Sequence, residues 1–177
     1  YFGHMWELYT LWAFVPMFLI TYTAHHPAVK LNISLWAFSV IAVGSIGCIG
    51  GGMMAGKFGS AKVAFIQLGC SGICCLLSGV VFQAAPNLFL AFLIFWGIVV
   101  VGDSPQFSTL VAHTAPNDLV GSALTIVNCI GFFITIISIQ LMTLLTTIIP
   151  PDYLFLFLVI GPLIGLGSLR PLVRKNI

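Results

Sequence analysis

Charged residues are what this sequence has least of. Its 177 residues include six Lys or Arg and four Asp or Glu, so that 6% of the chain is charged, whereas a soluble domain carries roughly 25%. A soluble fold of this length needs a polar surface, and so few charges cannot supply one. Together with a mean hydropathy of +1.15, this scarcity excludes a soluble globular domain and predicts that lipid is the solvent.

The sequence also lacks the short motifs of metal sites and of common hydrolases. The five cysteines lie inside apolar runs, with neither a C-x-x-C pair nor a Cys/His cluster, so we interpret them as small apolar side chains rather than metal ligands or disulfides. No H-E-x-x-H or G-x-S-x-G motif is present, which argues against an intramembrane enzyme. We expect no metal, no cofactor and no nucleic-acid partner.

Long apolar runs are what the sequence has in abundance. Each is long enough to span a bilayer, which takes about 20 residues. The six runs cover residues 4–24, 33–55, 61–84, 88–112, 120–147 and 153–169. Short breaks rich in Pro, Gly, Asn and Asp separate them, and the alternation of barrel strands is absent. The sequence therefore predicts an all-α polytopic membrane protein with six transmembrane helices and no inserted soluble domain.

Basic residues near the helix ends predict the orientation. Those on one predicted side are Lys57, Lys62, Arg170, Arg174 and Lys175, and only Lys30 falls on the other side. The even-numbered connections and both ends of the chain should therefore be cytoplasmic, in a multi-pass protein of the cell inner (plasma) membrane.

Small residues recur every four positions in the second run and lead into a loop motif. Gly44, Cys48, Gly52 and Gly56 form a smooth stripe, which should pack closely against another helix. The stripe continues into the segment GMMAGKFGSAK, residues 52–62.

This segment resembles the loop motif G-x-L-A-D-R-x-G-R-K of the major facilitator superfamily. Gly52, Lys57 and Gly59 fit it, as does Ala55, and Lys62 fits it one position late. Met54 and Gly56 stand where the motif has leucine and an acid. The segments GDSPQFSTLVAHTAP and GSALTIVNCIGFFITIISIQL are also similar to bacterial permeases of that superfamily.

The resemblance implies that residues 1–177 are the last six of twelve helices. The chain would then be the C-terminal half of such a transporter, built from two inverted three-helix repeats at about 1–86 and 87–177. The N-terminal half, absent from this chain, would be its partner. We also expect a fragment because Tyr1 is not Met and already borders a span.

Two acids lie inside the predicted spans, Glu7 in the first and Asp103 in the fourth. The resemblance places both helices on the wall of a central cavity. A carboxylate at mid-helix costs about 2.5–3.5 kcal/mol on insertion scales, which favours a water-filled cavity, a partner or a function. The alternatives are that Asp103 accepts hydrogen bonds near a kink and that Glu7 pairs with His4, three residues earlier on the same face.

Pro105 predicts a bend close to Asp103. It removes a backbone donor and leaves the carbonyl of Val101 without its helical partner, and Gly102 is nearby. Transporters place substrate and coupling ions at such breaks, so we interpret Pro105, Gly102 and Pro16 as candidate hinges. Kinking prolines without a binding role are also common in membrane helices.

Further candidate site residues share faces with these acids. Gln106 lies on the face of Asp103, and Asn128 on a polar face of the fifth helix. Interhelical hydrogen bonding is the alternative for the Thr and Ser residues beside Asn128. Tyr9 could contribute to an organic-substrate site or to a packing surface. The candidate substrate or proton-coupling residues are thus Asp103, Glu7, Gln106, Asn128, Tyr9 and His4.

The function predicted from these observations is secondary active transport of a small solute by alternating access, coupled to protons. Asp103 or Glu7 would exchange the proton as its surroundings change between low and high dielectric. The predicted partners are a small-molecule substrate, the lipid bilayer and the missing half. The alternative is a non-transporting membrane scaffold or assembly subunit, in which both acids are dispensable.

Overall fold

The computed structural model describes residues 1–174, and all regular structure within them is helical. The elements are α1 (Phe2–His25), α2 (Ile33–Ala42), α3 (Gly44–Phe58), α4 (Ser60–Phe82), α5 (Pro86–Gly102), α6 (Ser104–Thr114), α7 (Val120–Leu145), a 3-10 helix (Pro151–Val159) and α8 (Ile160–Arg174). The predicted all-α class is confirmed for this part of the chain.

Among residues 1–174, five helical segments are long and apolar enough to cross a membrane. They are Ile33–Phe58, Ser60–Phe82, Pro86–Thr114, Val120–Leu145 and Pro151–Arg174. The first predicted span is also a helix, the 24-residue α1, but it carries His4 and Glu7 in its first turns and is not among the five. The structure thus bears out a membrane protein with apolar spanning helices, and five of the six predicted spans meet the criteria of length and hydropathy.

Two of the spanning segments are interrupted, one of them as predicted. α5 ends at Gly102 and α6 begins at Ser104, with Asp103 between them. The second interruption, at Val43 between α2 and α3, was not predicted. Pro16 lies inside α1 without interrupting it, and a hinge role for Pro16 stays a prediction.

The helices pack around α1 and α4. α4 contacts α5, the 3-10 helix and α8, whereas α1 contacts α7 and α8, and α3 lies along α5. The main apolar core is fully buried and includes Leu11, Val15, Phe18, Tyr22, Phe82, Phe89, Leu93, Trp96 and Phe155.

The close approach of α3 to α5 depends on glycine. A Cβ built on Gly47 would lie 1.9 Å from the carbonyl oxygen of Ile98, and one on Gly44 would lie 2.6 Å from Val101. Around Gly52 and Gly56 a Cβ would meet nothing within 4 Å. Gly44 therefore packs as the stripe predicts, whereas the other two face open space in this chain. Contact of Gly52 and Gly56 with an N-terminal half outside this chain stays a prediction.

A single residue, Gly59, joins α3 to α4. Its φ of 86° lies in the region that side chains with a Cβ disfavour, and its N–H donates to the carbonyl of Ala55 at 2.9 Å. Lys57 is exposed and Lys62 is half-buried, on either side of this turn. The predicted loop motif therefore forms a tight helix-to-helix turn.

Candidate functional site

The candidate site begins on one face of α1. His4 and Glu7 are three residues apart, which puts them on neighbouring turns of the same face, and each is 1% exposed. The apolar residues around them on this helix, Met5, Leu8 and Leu11, are also buried. The first turns of α1 thus carry two ionisable side chains into the interior of the bundle.

The second acid, Asp103, lies at the interruption between α5 and α6. It is completely buried, and its carbonyl accepts the N–H of Phe107 at 3.0 Å. Pro105 stands in the first turn of α6, so it has no N–H to give to the carbonyl of Val101. The thiol of Cys48 on α3 donates to that carbonyl at 3.6 Å. The carbonyl that loses its helical donor to the proline is therefore contacted by a side chain of a neighbouring helix and by the N–H of Asp103.

His4 and Asp103 form a close buried pair. The distance between His4 Nδ1 and Asp103 Oδ1 is 2.9 Å, yet neither carboxylate oxygen, nor His4 Nε2, has a hydrogen-bond partner of regular geometry. Within residues 1–174 this is the one acid–base contact at salt-bridge distance. The imidazole and the carboxylate therefore lie in direct contact at the break, buried from solvent.

Aromatic rings surround His4. The ring centroid of Phe107 lies 5.6 Å from that of His4, and the centroid of Tyr1 lies 6.1 Å away. Tyr1 and Phe107 also line one side of a cavity of about 200 Å³ between α6 and α8. Neither Asp103 nor Glu7 is among the residues that line this cavity, so both acids face protein side chains here.

Glu7 makes a different set of contacts. Its Oε1 accepts hydrogen bonds from Trp96 Nε1 at 3.0 Å, from Cys75 Sγ at 3.3 Å and from Ser71 Oγ. Trp96 Nε1 also lies 3.1 Å from Ser71 Oγ. Glu7 Oε2 is buried without a partner. The alternative pairing of Glu7 with His4 is not observed, because His4 contacts Asp103 instead.

The remaining candidates near Asp103 are also placed in the interior. Gln106 is buried on the following turn. Gly102 packs against α3 and the side chain of Gln67, since a Cβ there would lie 2.8 Å from the carbonyl oxygen of Gly47 and 2.3 Å from Gln67 Nε2. The structure thus brings His4 and Asp103 together at the break, with Gly102 and Gln106 buried on its two sides.

Asn128 on α7 and Tyr9 on α1 make contacts between the N-terminal segment and α7. Tyr1 donates its hydroxyl to Asn128 Oδ1. The ring of Tyr9 lies 5.3 Å from that of Trp12 and 5.4 Å from that of Phe132, measured between centroids. Within the described residues neither side chain hydrogen-bonds to His4, Glu7 or Asp103, so a substrate contact for them stays a prediction.

The Ser and Thr side chains beside Asn128 attach α7 to α1. Thr135 donates to the carbonyl of Met5 at 2.9 Å, and Ser138 donates to that of Trp6 at 2.7 Å. Thr10 adds a hydrogen bond to Ser138 Oγ at 2.9 Å. Interhelical hydrogen bonding, the alternative for these residues, is therefore what the structure contains.

Sequence reasoning did not find three partners of Glu7: Ser71, Cys75 and Trp96. Ser71 and Cys75 are four residues apart on α4, so they share a face, and that spacing was the available signal. Trp96 stands in an uncharged apolar run, where no pattern distinguishes a hydrogen-bonding indole from a packing one. Only the tertiary arrangement brings the three donors to one oxygen.

Comparisons with protein-family models, with curated proteins and with solved structures find no match to this chain. The geometry of the buried acids is therefore the observation from which a function can be inferred.

Proposed function

We propose that this chain is part of a secondary active transporter that moves a small solute by alternating access and is coupled to protons. The observation that carries the proposal is the buried pair of His4 and Asp103 at the interruption of a membrane-crossing segment. A carboxylate deep in a membrane protein is costly unless it is paired or used. Here its partner is histidine, the side chain that changes charge near neutral pH.

The interruption supports the same proposal. Helix breaks expose backbone polar groups inside the membrane, and transporters use such breaks to bind ions and to change conformation. Asp103 lies between α5 and α6, and Pro105 keeps the two helices from closing into one hydrogen-bonded run. In the proposed cycle, solvent reaches the pair alternately from the two sides, and Asp103 gains and loses its proton.

The proposed architecture follows the resemblance to the major facilitator superfamily. Residues 1–177 would be the C-terminal half, with two inverted three-helix repeats, and Gly52 and Gly56 would face the N-terminal half. Lys57, Gly59 and Lys62 would form the cytoplasmic turn of its loop motif, in the inner (plasma) membrane. The open space beside both glycines in this chain agrees with a partner at that surface.

One observation favours the scaffold alternative. Glu7 and Asp103 are both enclosed by protein in this chain, as they would be if they only joined helices. The two functions differ in one respect, because a scaffold does not require Asp103 to ionise.

The experiment is the substitution Asp103→Asn in the complete protein, reconstituted in lipid vesicles. A panel of radiolabelled amino acids, sugars and organic acids is first screened for accumulation driven by an imposed pH difference. Asparagine keeps the size and hydrogen-bonding capacity of aspartate but does not titrate. The variant should insert and fold, lose at least tenfold of the uphill accumulation, and retain exchange of the same solute across the membrane.

Asp118→Asn is the matched control, because Asp118 is an exposed carboxylate in the α6–α7 connection. It should accumulate solute like the parent protein. If Asp103→Asn accumulates solute with the parental pH dependence, or if the parent accumulates none of the panel, proton-coupled transport of such solutes through Asp103 is wrong.

A further inference from the structure

The two buried acids differ in their partners. Asp103 has a histidine at 2.9 Å, whereas three donors converge on Glu7 Oε1 and no base lies at salt-bridge distance from Glu7 within residues 1–174. Two carboxyl groups in such different surroundings can serve different roles in one protein.

The donors around Glu7 determine which of its oxygens can carry a proton. The indole Nε1 of Trp96 is a donor only, so Oε1 must accept from it. Ser71 and Cys75 also direct their hydrogens to Oε1. A proton on Glu7 therefore belongs on Oε2, the buried oxygen without a partner.

The cost of burial favours the protonated form. An ionised carboxylate taken out of water without a cation is far more costly than a neutral acid with one unpaired hydroxyl. The titratable groups beside Glu7 on α4 are Cys75, which donates to Oε1, and the adjacent buried Cys74. His4, one turn away along α1, is engaged with Asp103 of the break between α5 and α6.

The contacts of Glu7 join three helices. Glu7 is on α1, Ser71 and Cys75 are on α4, and Trp96 is on α5, and all of these side chains are buried. By contrast, the pair of His4 and Asp103 lies at the break before α6.

From these observations we infer that Glu7 keeps a proton on Oε2 at all times and is a positioning residue, which holds α1 against α4 and α5 while Asp103 alone exchanges the coupling proton. The division of roles rests on the proposed function, whereas the permanent protonation of Glu7 does not. A permanently protonated Glu7 is also contrary to the expectation from the sequence that Glu7 could exchange the coupling proton in place of Asp103.

The first test is Glu7→Gln in the complete protein. Glutamine keeps a carbonyl oxygen for the three donors and places an uncharged amide where Oε2–H stood. pH-driven accumulation should stay within twofold of the parent with the same pH profile, whereas Asp103→Asn abolishes it. Folded Glu7→Gln protein that has lost accumulation, or whose pH profile has moved, overturns the inference.

The second test needs no transport. Infrared spectra of the purified complete protein, parent minus Glu7→Gln, should contain the C=O band of a protonated carboxylic acid at every pH from acidic to alkaline buffer. Asp103→Asn should leave this band in place. A band that disappears as the pH rises shows that Glu7 titrates and overturns the inference.

The third test identifies the band if Glu7→Gln does not fold. Ser71→Ala removes one donor to Oε1 and should move the C=O band to higher frequency, while Ser108→Ala, on α6 away from Glu7, should not. An unmoved band in Ser71→Ala overturns the inference. Because the infrared measurements use no substrate, a failure of the transport proposal is distinguishable from a failure of this one.

Discussion

At the level of single residues, the interior of the bundle is organised by a few polar side chains set among apolar ones. Trp96 is fully buried and gives its N–H to both Glu7 and Ser71. Trp12 has a buried Nε1 without a partner. Removing the indole nitrogen therefore breaks hydrogen bonds at Trp96 but none at Trp12.

We predict that Trp96→Phe destabilises the protein by about 1–3 kcal/mol, because it leaves Glu7 and Ser71 short of a buried donor. Thermal unfolding of the purified protein in detergent, followed by circular dichroism, measures the change. Trp12→Phe is the matched control and should cost less, since no hydrogen bond is lost. Equal destabilisation by the two substitutions would contradict a hydrogen-bonding role for Trp96.

At the level of helices, close backbone approach determines how α3 meets α5. Gly97 on α5 approaches α2 in the same way that Gly47 on α3 approaches α5, since a Cβ on Gly97 would lie 2.1 Å from the carbonyl oxygen of Val40. The obstacle at both positions is backbone, which cannot rotate away as a flexible side chain can. Small residues thus set the separation of these helices.

We predict that Gly47→Ala forces α3 away from α5 and lowers stability by about 1–3 kcal/mol, the usual range for an overpacked interior. The measurement is thermal unfolding of the purified protein, together with the yield of monodisperse material. A stability equal to that of the parent would show that α3 and α5 are not in backbone contact.

Gly50→Ala, on the same helix, is the control. A Cβ at Gly50 meets nothing within 4 Å, and alanine favours a helix over glycine, so this variant should be neutral or slightly more stable. Gly52→Ala has open space in this chain too, and a loss of stability there in the complete protein would indicate contact with another segment.

At the level of the whole molecule, the distribution of basic residues predicts how the bundle sits in the membrane. The loop that contains Lys30 should face away from the cytoplasm, and the α6–α7 connection that contains Asn117 should face it. Both residues are exposed, so a cysteine introduced at either position can be labelled.

We predict that, in intact cells, a membrane-impermeant maleimide labels Lys30→Cys but not Asn117→Cys, and that permeabilised cells allow labelling of both. Cys129, exposed on α7, is replaced by serine in both variants, and that parent without an added cysteine gives the background. Labelling of Asn117→Cys in intact cells would reverse the predicted orientation.

The helices were predictable because their signal is local. Runs of uncharged apolar residues with Pro and Gly between them place each span within a few residues, and Pro105 marks the break near Asp103 because a missing N–H acts on its own turn. The break at Val43 was not predictable, because it occurs where Gly44 meets Val101 and the carbonyl of Gly97 on another helix.

The candidate site was predictable only in part. His4, Glu7 and Asp103 were selected because ionisable groups are rare inside apolar spans. The contacts of these residues were not predictable, since spacing along α1 favours a His4–Glu7 pair. Only the packing of the helices brings Asp103 to His4. Likewise, no local signal distinguishes Trp96 from the other three tryptophans.

The sequence by itself determined that this is an all-α membrane protein and which acids it buries, because composition and proline act locally along the chain. The tertiary structure decided which base meets which acid, and which glycines touch another backbone. Those contacts join residues far apart in the chain, such as His4 and Asp103 or Gly3 and Gly161. Their pairing depends on how helices rotate and approach one another rather than on any pattern within a helix.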